Sequence, residues 1–222
     1  MRGVVALAIL TAGFLVTGCA RPRAPVWDPV SADDHNDLGV AYHTRGEFEL
    51  AARQFRRALA LRPGWARAFV NLGDAQLALG LVDEAISAYE RAHVVGPANP
   101  ATANNLAWAL LQHEGRWPEA EPLIRGALAR DPQPRGYYLD TLGLLFLKKG
   151  EPRAALEALR AALADPQIRE RRVRALVLRR TGEALSRLGD IEGADRCDRV
   201  ARDLLASEEA SPENVGPGET VC

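Results

Sequence analysis

The stretch ARAFVNLGDAQLALGLVDEAISAYERAHVVGPAN, residues 66–99, combines small residues, one large residue and a proline in an order that recurs along the chain. Its first small residue, Gly73, belongs to the set Gly39, Gly73, Ala107, Gly143 and Gly182, at steps of 34, 34, 36 and 39 residues. A second set, Gly46, Gly80, Gly115, Gly150 and Gly189, is predicted to mark the turn of each copy. Steps of this length match one helical hairpin. The chain is therefore predicted to be an array of five copies of one hairpin.

The second half of each copy contains two alanines seven residues apart, which places them on one helical face. The pairs are Ala51 and Ala58, Ala85 and Ala92, Ala120 and Ala127, Ala155 and Ala162, and Ala194 and Ala201. Four copies carry a large residue between the alanines: Phe55, Tyr89, Ile124 and Leu159. Prolines 63, 97, 132 and 166 follow four of the copies, as is typical just beyond a helix end. Each copy is thus predicted to contain two helices.

The glycines within the first helices need a physical reason, because glycine in a helix interior costs about 1 kcal/mol relative to alanine. We expect a neighbouring backbone to pass too close for a larger side chain, with the large residue of the second helix filling the remaining space. One hairpin cannot bury both of its faces, so successive hairpins are predicted to stack with a continuous core. The predicted fold class is an all-α solenoid.

The unit resembles the tetratricopeptide repeat. The resemblance covers roughly residues 32–208 and implies a right-handed solenoid with repeats at about 32–65, 66–99, 100–135, 136–169 and 175–206. The tryptophan often found early in that repeat is replaced by His35, Phe69, Ala103, Leu139 and Leu178. In the last copy Asp198 stands where the large apolar residue is expected. This exchange predicts that the last helix faces solvent as a terminal cap.

The N-terminal segment has the pattern of a secretory signal peptide. A basic start is followed by an apolar run from Gly3 to Val16, which is too short for the ~20 residues that span a bilayer. Residues 15–19, LVTGC, resemble a bacterial lipobox, and the resemblance implies a signal peptide over residues 1–18 and lipidation of Cys19. The alternative is an ordinary signal peptide with a chance cysteine beside its cleavage site.

The predicted lipid on Cys19 would anchor the chain at a membrane. Ala20 follows the cysteine, where enterobacterial lipoproteins retained at the inner membrane carry aspartate, so the resemblance implies an outer-membrane protein facing the periplasm. Residues 19–31 contain prolines 22, 25 and 29 and are predicted to be an extended linker. The anchor, the linker and the array together predict a solenoid suspended from the membrane.

The 222 residues carry a formal net charge of −1 and are 26% charged, so no overall basic field favours nucleic acid. Residues 169–180 nevertheless contain six arginines, in what is predicted to be the connection before the last repeat. This run is either a patch for phosphate headgroups or an acidic partner, or a solvated helix face. Residues 207–222 are acidic and predicted to be disordered. Cys197 and Cys222 either pair with each other, stay free or join another chain.

No catalytic signature is present in the sequence. The four histidines lack the HExxH spacing, and no CxxC pair, Walker loop or GxSxG elbow occurs. The run Asp33-Asp34-His35-Asn36-Asp37 suggests a metal site, but acidic residues in a first helical turn are also what the helix dipole favours. The sequence therefore predicts a protein that is not an enzyme, with no cofactor, no metal and no small-molecule substrate.

The resemblance implies that the first helices line a concave groove, with residues two before and one after each small residue projecting near it. The residues two before are Asp37, Asn71, Asn105, Thr141 and Arg180. The predicted partner-binding residues are Asn36, Val40, Arg67, Asn71, Asp74, Asn104, Asn105, Trp108, Tyr137 and Asp140, with Val70 and Leu144 as neighbours. Asn71 and Asn105 resemble an asparagine ladder that binds the backbone of an extended peptide; alternatively, these asparagines brace adjacent helices and Trp108 is part of the core. The lysines and arginines of the chaperone-type carboxylate clamp are not evident.

These features predict a scaffold for protein partners. By resemblance, lipoproteins of this build assist the assembly of type IV or tight-adherence pili and related secretion channels. Two other hypotheses remain open. One is an adaptor that recruits peptidoglycan hydrolases or proteases to the envelope, and the other is a non-catalytic subunit or cryptic enzyme of polysaccharide export.

Overall fold

A computed structural model describes residues 29–131 and 135–206, and within these residues the chain is helical without any strand. Ten helices follow one another in this order: α1 Ala32–Thr44, α2 Phe48–Leu61, α3 Ala66–Ala78, α4 Val82–Val95, α5 Pro100–Gln112, α6 Trp117–Arg130, α7 Arg135–Lys149, α8 Pro152–Ala164, α9 Arg171–Arg187 and α10 Ile191–Ala206. The helices pair into five hairpins, which confirms the all-α array. The predicted signal peptide, Cys19, most of the linker and the acidic tail lie outside the described residues.

Glycines in the left-handed region close the hairpins. Gly46, Gly80, Gly115, Gly150 and Gly189 have φ angles of 74° to 88°, which side-chain-bearing residues rarely adopt. In the second hairpin the Gly80 amide donates to the Leu77 carbonyl at 2.9 Å, and the Leu81 amide donates to the Gln76 carbonyl at 2.9 Å. The predicted turn positions are thus confirmed in all five hairpins.

The glycines inside the first helices lie under large side chains of the second helices. A Cβ atom added to Gly73 would lie 2.7 Å from Tyr89 Cε1, and one added to Gly143 would lie 2.5 Å from Leu159 Cγ. Gly39 is covered in the same way by Phe55. The expectation of a close backbone was therefore wrong at these three positions, because an aromatic or leucine side chain occupies the space. In the last hairpin a backbone atom does come close, since a Cβ at Gly182 would lie 3.2 Å from the Ala194 carbonyl oxygen.

The core runs between hairpins as well as within them. One cluster joins Phe55 of α2 to Phe69 and Leu72 of α3, and a second joins Tyr89 of α4 to Ile124 of α6. Further clusters continue through α7, α8, α9 and α10. Burying a side chain of this size stabilises the fold by about 1.5–3 kcal/mol relative to leaving it exposed, so each hairpin depends on its neighbours.

The last hairpin begins earlier than the sequence indicated. Helix α9 starts at Arg171, not at residue 175, so most of the arginine-rich run belongs to a helix and not to a connection. Arg174 is buried and donates from Nη1 to the carbonyls of Leu163 at 3.2 Å and Ile168 at 3.4 Å. Arginine is a good helix former, and these contacts stabilise the additional turn.

The two ends of the array carry polar residues that suit a helix start and a terminal helix. Ser31 caps α1 in a capping box with Asp34, so acidic residues of the first turn serve the helix start. Asp198 is exposed on α10, as expected for a terminal helix. Cys197 is fully buried and disulfide-bonded, and both other cysteines, Cys19 and Cys222, lie outside the described residues.

Candidate functional site

The first helices of neighbouring hairpins contact one another in sequence, α1 with α3, α3 with α5, α5 with α7, and α7 with α9. They therefore form one continuous face of the array. A cavity of about 250 Å³, which we call the central cavity, opens along this face. It is lined by Asp74, Leu77, Tyr89, Asn104, Asn105, Trp108, Tyr137, Asp140, Thr141, Val173 and Leu176. Four successive hairpins contribute residues, so no single repeat could form it.

A smaller cavity of about 110 Å³ lies toward the N-terminal end of the same face. Its lining consists of Val40, His43, Phe55, Asn71 and Asp74. Asp74 lines both cavities and connects them. The central cavity and the smaller cavity together form the groove.

The predicted site residues divide into three groups. Asp74, Asn104, Asn105, Trp108, Tyr137 and Asp140 line the central cavity. Val40 and Asn71 line the smaller cavity, while Asn36 and Arg67 line neither. The structure thus brings eight of the ten predicted residues together in the groove.

The residues outside the groove have structural contacts. Asn36 is 2% exposed, and its Oδ1 accepts a hydrogen bond from Asn71 Nδ2 at 2.8 Å, which joins α1 to α3. This hydrogen bond agrees with the alternative in which Asn71 braces adjacent helices, although Asn71 also lines the smaller cavity. The Arg67 guanidinium lies 5.2 Å from the centre of the Trp65 ring. Val70 packs against the core, and Leu144 lines other cavities near α9.

Asp74 is a partly buried carboxylate at the junction of the two cavities. The Tyr89 hydroxyl donates a hydrogen bond of 2.5 Å to Asp74 Oδ1. Burial raises the pKa of Asp74, while the Tyr89 hydrogen bond and the nearby His43 oppose this shift. Burial and the adjacent carboxylate also raise the pKa of Tyr89 well above its ordinary value, which keeps the phenol protonated as the donor. The Asp74 carboxyl group therefore lies in surroundings that disfavour its ionised form.

Asp140 and Asn104 also line the central cavity, and each has one buried side-chain acceptor. Arg180 Nη1 of α9 pairs with Asp140 Oδ2. Asp140 Oδ1 and Asn104 Oδ1 are buried and accept no hydrogen bond from any described residue. An acceptor left in this state costs about 1–3 kcal/mol. Burial raises the pKa of Asp140, and Arg180 opposes the shift.

Aromatic rings form the apolar part of the lining. Trp108 is half-buried and Tyr137 is 37% exposed, so both offer surface to a ligand. Tyr89 was predicted only as a core residue that fills space, yet it also lines the cavity. The residue type could have indicated this second role, because the hydroxyl of a buried tyrosine usually has a polar hydrogen-bond partner. Leu77 and Leu176 were missed because their helical positions do not follow the small-residue spacing.

A larger hollow of about 1030 Å³ lies along α9 and α10. Its charged lining mixes both signs, with Arg179, Arg187 and Arg202 beside Glu183 and Asp195. Two of the six arginines of residues 169–180, Arg174 and Arg180, are buried and bind protein groups. The run therefore contributes to packing as well as to the surface.

Metal clusters and membrane-spanning helices are both absent from the described part of the chain. Nowhere in residues 29–131 and 135–206 do three or more His, Cys, Asp or Glu side chains gather in a way that could ligate a metal. None of the helices in those residues combines the length and apolar composition needed to cross a bilayer.

Five stacked hairpins with a groove along their first helices define a helical-repeat scaffold. The sequence profile of the tetratricopeptide repeat matches residues 36–101, 70–133 and 141–206. The chain belongs to the tetratricopeptide-repeat family and is a non-catalytic scaffold for protein–protein interactions.

Solved structures of this fold resemble the array over most of its length. The type IV pilus biogenesis factor PilW matches with a TM-score of 0.68 and 20% identity, over 79% of this chain and 78% of PilW. TTC0263, a repeat protein of Thermus thermophilus, matches with a TM-score of 0.67 and 22% identity, over 81% and 94%. A chain of the APC/C hetero-tetramer Cut9–Hcn1 matches with a TM-score of 0.73 and 20% identity, over 80% of this chain but 34% of that one. The present chain thus spans about a third of that longer relative, and at these identities the likeness is one of fold.

Proposed function

We propose that the chain is a periplasmic scaffold, anchored to the outer membrane through Cys19, whose groove binds a protein partner during assembly of a pilus or secretion channel. The observation that carries the binding proposal is the groove itself. It places half-buried aromatic rings beside residues with buried acceptors, in a cavity whose lining comes from four consecutive hairpins. Tryptophan and tyrosine are among the residues that supply most of the binding energy when a protein interface buries them.

The choice of a pilus or channel as the assembly rests on two further supports. The first is the lipobox-like sequence at residues 15–19, which matches the build of lipoproteins in such systems. The second is the fold shared with PilW, described as a widely conserved type IV pilus biogenesis factor. Both arguments rest on similarity to other proteins, so the experiment must identify the partner directly.

Photo-crosslinking in cells tests the groove. A crosslinking amino acid replaces Asn105, which lines the central cavity, and in a matched strain replaces Arg91, which is exposed on α4 outside both cavities. We expect a pilus or channel component to be captured from position 105 and not from position 91, as identified by mass spectrometry. Capture of peptidoglycan hydrolases or of polysaccharide-export components would instead support the alternative functions. Equal background from both positions would refute binding in the groove.

Membrane anchoring is tested separately with Cys19→Ala. The variant should lose fatty-acid labelling and move from the membrane fraction to the soluble fraction. Cys197→Ala is the matched cysteine change, because Cys197 is buried in the array, and this variant should keep the label. Unchanged labelling of Cys19→Ala would refute lipidation at this position without bearing on the groove.

A further inference from the structure

The polar atoms of the central cavity are mainly acceptors. Asp140 Oδ1 and Asn104 Oδ1 are buried and receive no hydrogen bond from the described residues, and the Asp74 carboxylate receives one from Tyr89. Asn104 is 8% exposed and Asp140 is 7% exposed, so both residues are more than nine-tenths buried. A ligand that reaches these buried atoms by displacing part of the lining must donate hydrogen bonds. A partner's carboxylate would bring further acceptors and is disfavoured at this place.

The charges of the cavity also favour a cation. Two carboxylates, Asp74 and Asp140, line it, and Arg180 pairs with Asp140. Among the described residues, Asp74 accepts a hydrogen bond from the neutral Tyr89 hydroxyl. The titratable side chain beside it in the smaller cavity is His43. Within the described part of the chain, no lysine or arginine pairs with Asp74, and His43 is the positive influence on it. Lysine and arginine side chains carry only donors and a positive charge.

The size and the aromatic lining restrict the ligand further. A volume of about 250 Å³ accommodates one long side chain and not a folded element. Trp108 and Tyr137 provide aromatic surface against which an alkyl stem packs and to which a guanidinium or ammonium group is attracted. We propose that the central cavity binds the side chain of one lysine or arginine that the protein partner presents to the groove. This proposal rests on the proposed function, because it specifies which group of the partner the groove recognises.

The test uses the side chain alone, so that it needs no identified partner. The full chain, in dodecylmaltoside micelles, is labelled with 5-fluorotryptophan at its four tryptophans and followed by fluorine NMR. The Trp108 resonance is assigned by its loss in Trp108→Phe. The probes are N-acetyl-arginine N-methylamide and N-acetyl-lysine N-methylamide, with the norleucine and glutamate analogues as neutral and acidic comparisons.

We expect saturable shifts of the Trp108 resonance with the arginine and lysine probes and none with the norleucine or glutamate probes. Asp74→Asn should weaken binding of the cationic probes about tenfold, because a charge-assisted contact is lost while the amide oxygen of the substituted side chain can still accept from Tyr89. The matched control is Asp33→Asn, since Asp33 is an exposed carboxylate of α1 that pairs with Arg62 outside both cavities. This variant should bind as the parent does.

A second variant keeps the test decisive if Asp74→Asn unfolds. Asn104→Leu removes a buried acceptor at similar volume and should also weaken the cationic probes. Equal affinity for the norleucine and arginine probes would overturn the proposal, as would parent affinity in the folded variants. Absence of any saturable shift with both cations would overturn it too. None of these results would remove a partner captured from position 105, so failure of this inference is distinguishable from failure of the proposed function.

Discussion

The substitution Gly73→Ala tests whether the array is held by the close contact between its first and second helices. Gly73 is buried in α3, and a Cβ atom at this position would lie 2.7–2.9 Å from three ring atoms of Tyr89. Gly126 in α6 is the matched position, because a Cβ atom there would approach only Arg130 Nη1, at 3.6 Å. Both glycines lie within helices, so the same change has the same effect on helix propensity.

The expected free energies differ in sign. Glycine to alanine within a helix is favourable by about 1 kcal/mol, and at Gly126 nothing opposes this gain. At Gly73 the added methyl group must displace the fully packed Tyr89 ring, and such overpacking costs typically about 1–3 kcal/mol. Displacement also weakens the 2.5 Å hydrogen bond from Tyr89 to the Asp74 carboxylate, a class of bond worth about 1.5–3 kcal/mol. We expect Gly73→Ala to lose about 2 kcal/mol and Gly126→Ala to gain about 1 kcal/mol.

Urea unfolding followed by far-UV circular dichroism measures both changes, and an unchanged slope shows that the same surface is exposed in each variant. If Gly73→Ala is as stable as the parent while Gly126→Ala is stabilised, then the Tyr89 ring does not require a glycine beneath it. Close packing under the second helix would then be refuted as the reason for the repeated small residue. If neither variant changes, the helix-propensity part of the reasoning would fail instead.

Three further changes follow from the same contacts. Arg180→Met should lower the free energy of unfolding in urea by about 3–5 kcal/mol, because it leaves Asp140 buried without its counter-charge. Adding Asp140→Leu should restore much of this loss. An unaltered urea midpoint in the single variant would contradict a buried ion pair. Because burial raises the pKa of Asp74 above 3.8, the native chain binds a proton more readily than the unfolded chain, so stability falls as pH rises from that value through the folded pKa. The stability advantage of Asp74→Asn over the parent should therefore grow with pH across this range and then stay constant, and a difference independent of pH would count against the raised pKa. Asn71→Ala should lower the free energy of unfolding by about 1 kcal/mol, measured thermally or in urea, because Asn36 Oδ1 loses its hydrogen-bond donor. Full stability of this variant would argue that the asparagines do not brace the helices.

The stability and binding effects at Asp74 are expected to have opposite signs. Replacing a partly buried carboxylate by an amide removes the cost of ionisation in the fold, whereas the cationic probe loses its charged acceptor. This combination is typical of a binding site, where groups are held in a state that is unfavourable until the ligand arrives. A variant that lost probe affinity only because it unfolded would show both effects in the same direction.

The repeat pattern was informative wherever a constraint acts locally and recurs in every copy. The position of Gly73 identified a place of close packing, and Gly80 identified the turn. The exact neighbour of Gly73 was not predicted, since a small residue signals a lack of space but not which atom occupies it. The start of α9 was also misplaced, because a run of arginines was interpreted as a connection although Arg174 and Arg180 are buried.

The candidate site also contains some features that the sequence predicted and others that it did not. Trp108, Tyr137 and Asp140 could be assigned to the inner face because each lies near a small residue whose helix lines the groove. The pairing of Asp140 with Arg180 could not be predicted, since the two residues are 40 positions apart and belong to different hairpins. The role of Tyr89 was hidden for a related reason: its ring fills the core of its own hairpin while its hydroxyl reaches Asp74.

The amino-acid sequence alone was sufficient to establish the number of repeats, the hairpin of each repeat and the turn glycines. These features depend on residue type and on spacing within about 34 residues, and they are repeated often enough to be recognised. Only the tertiary structure decided which carboxylates are buried, which of them are paired and which acceptors remain without a donor. The reason is that burial and pairing arise where four hairpins meet, and the spacing within one repeat contains no information about the side chains that its neighbours bring to that place.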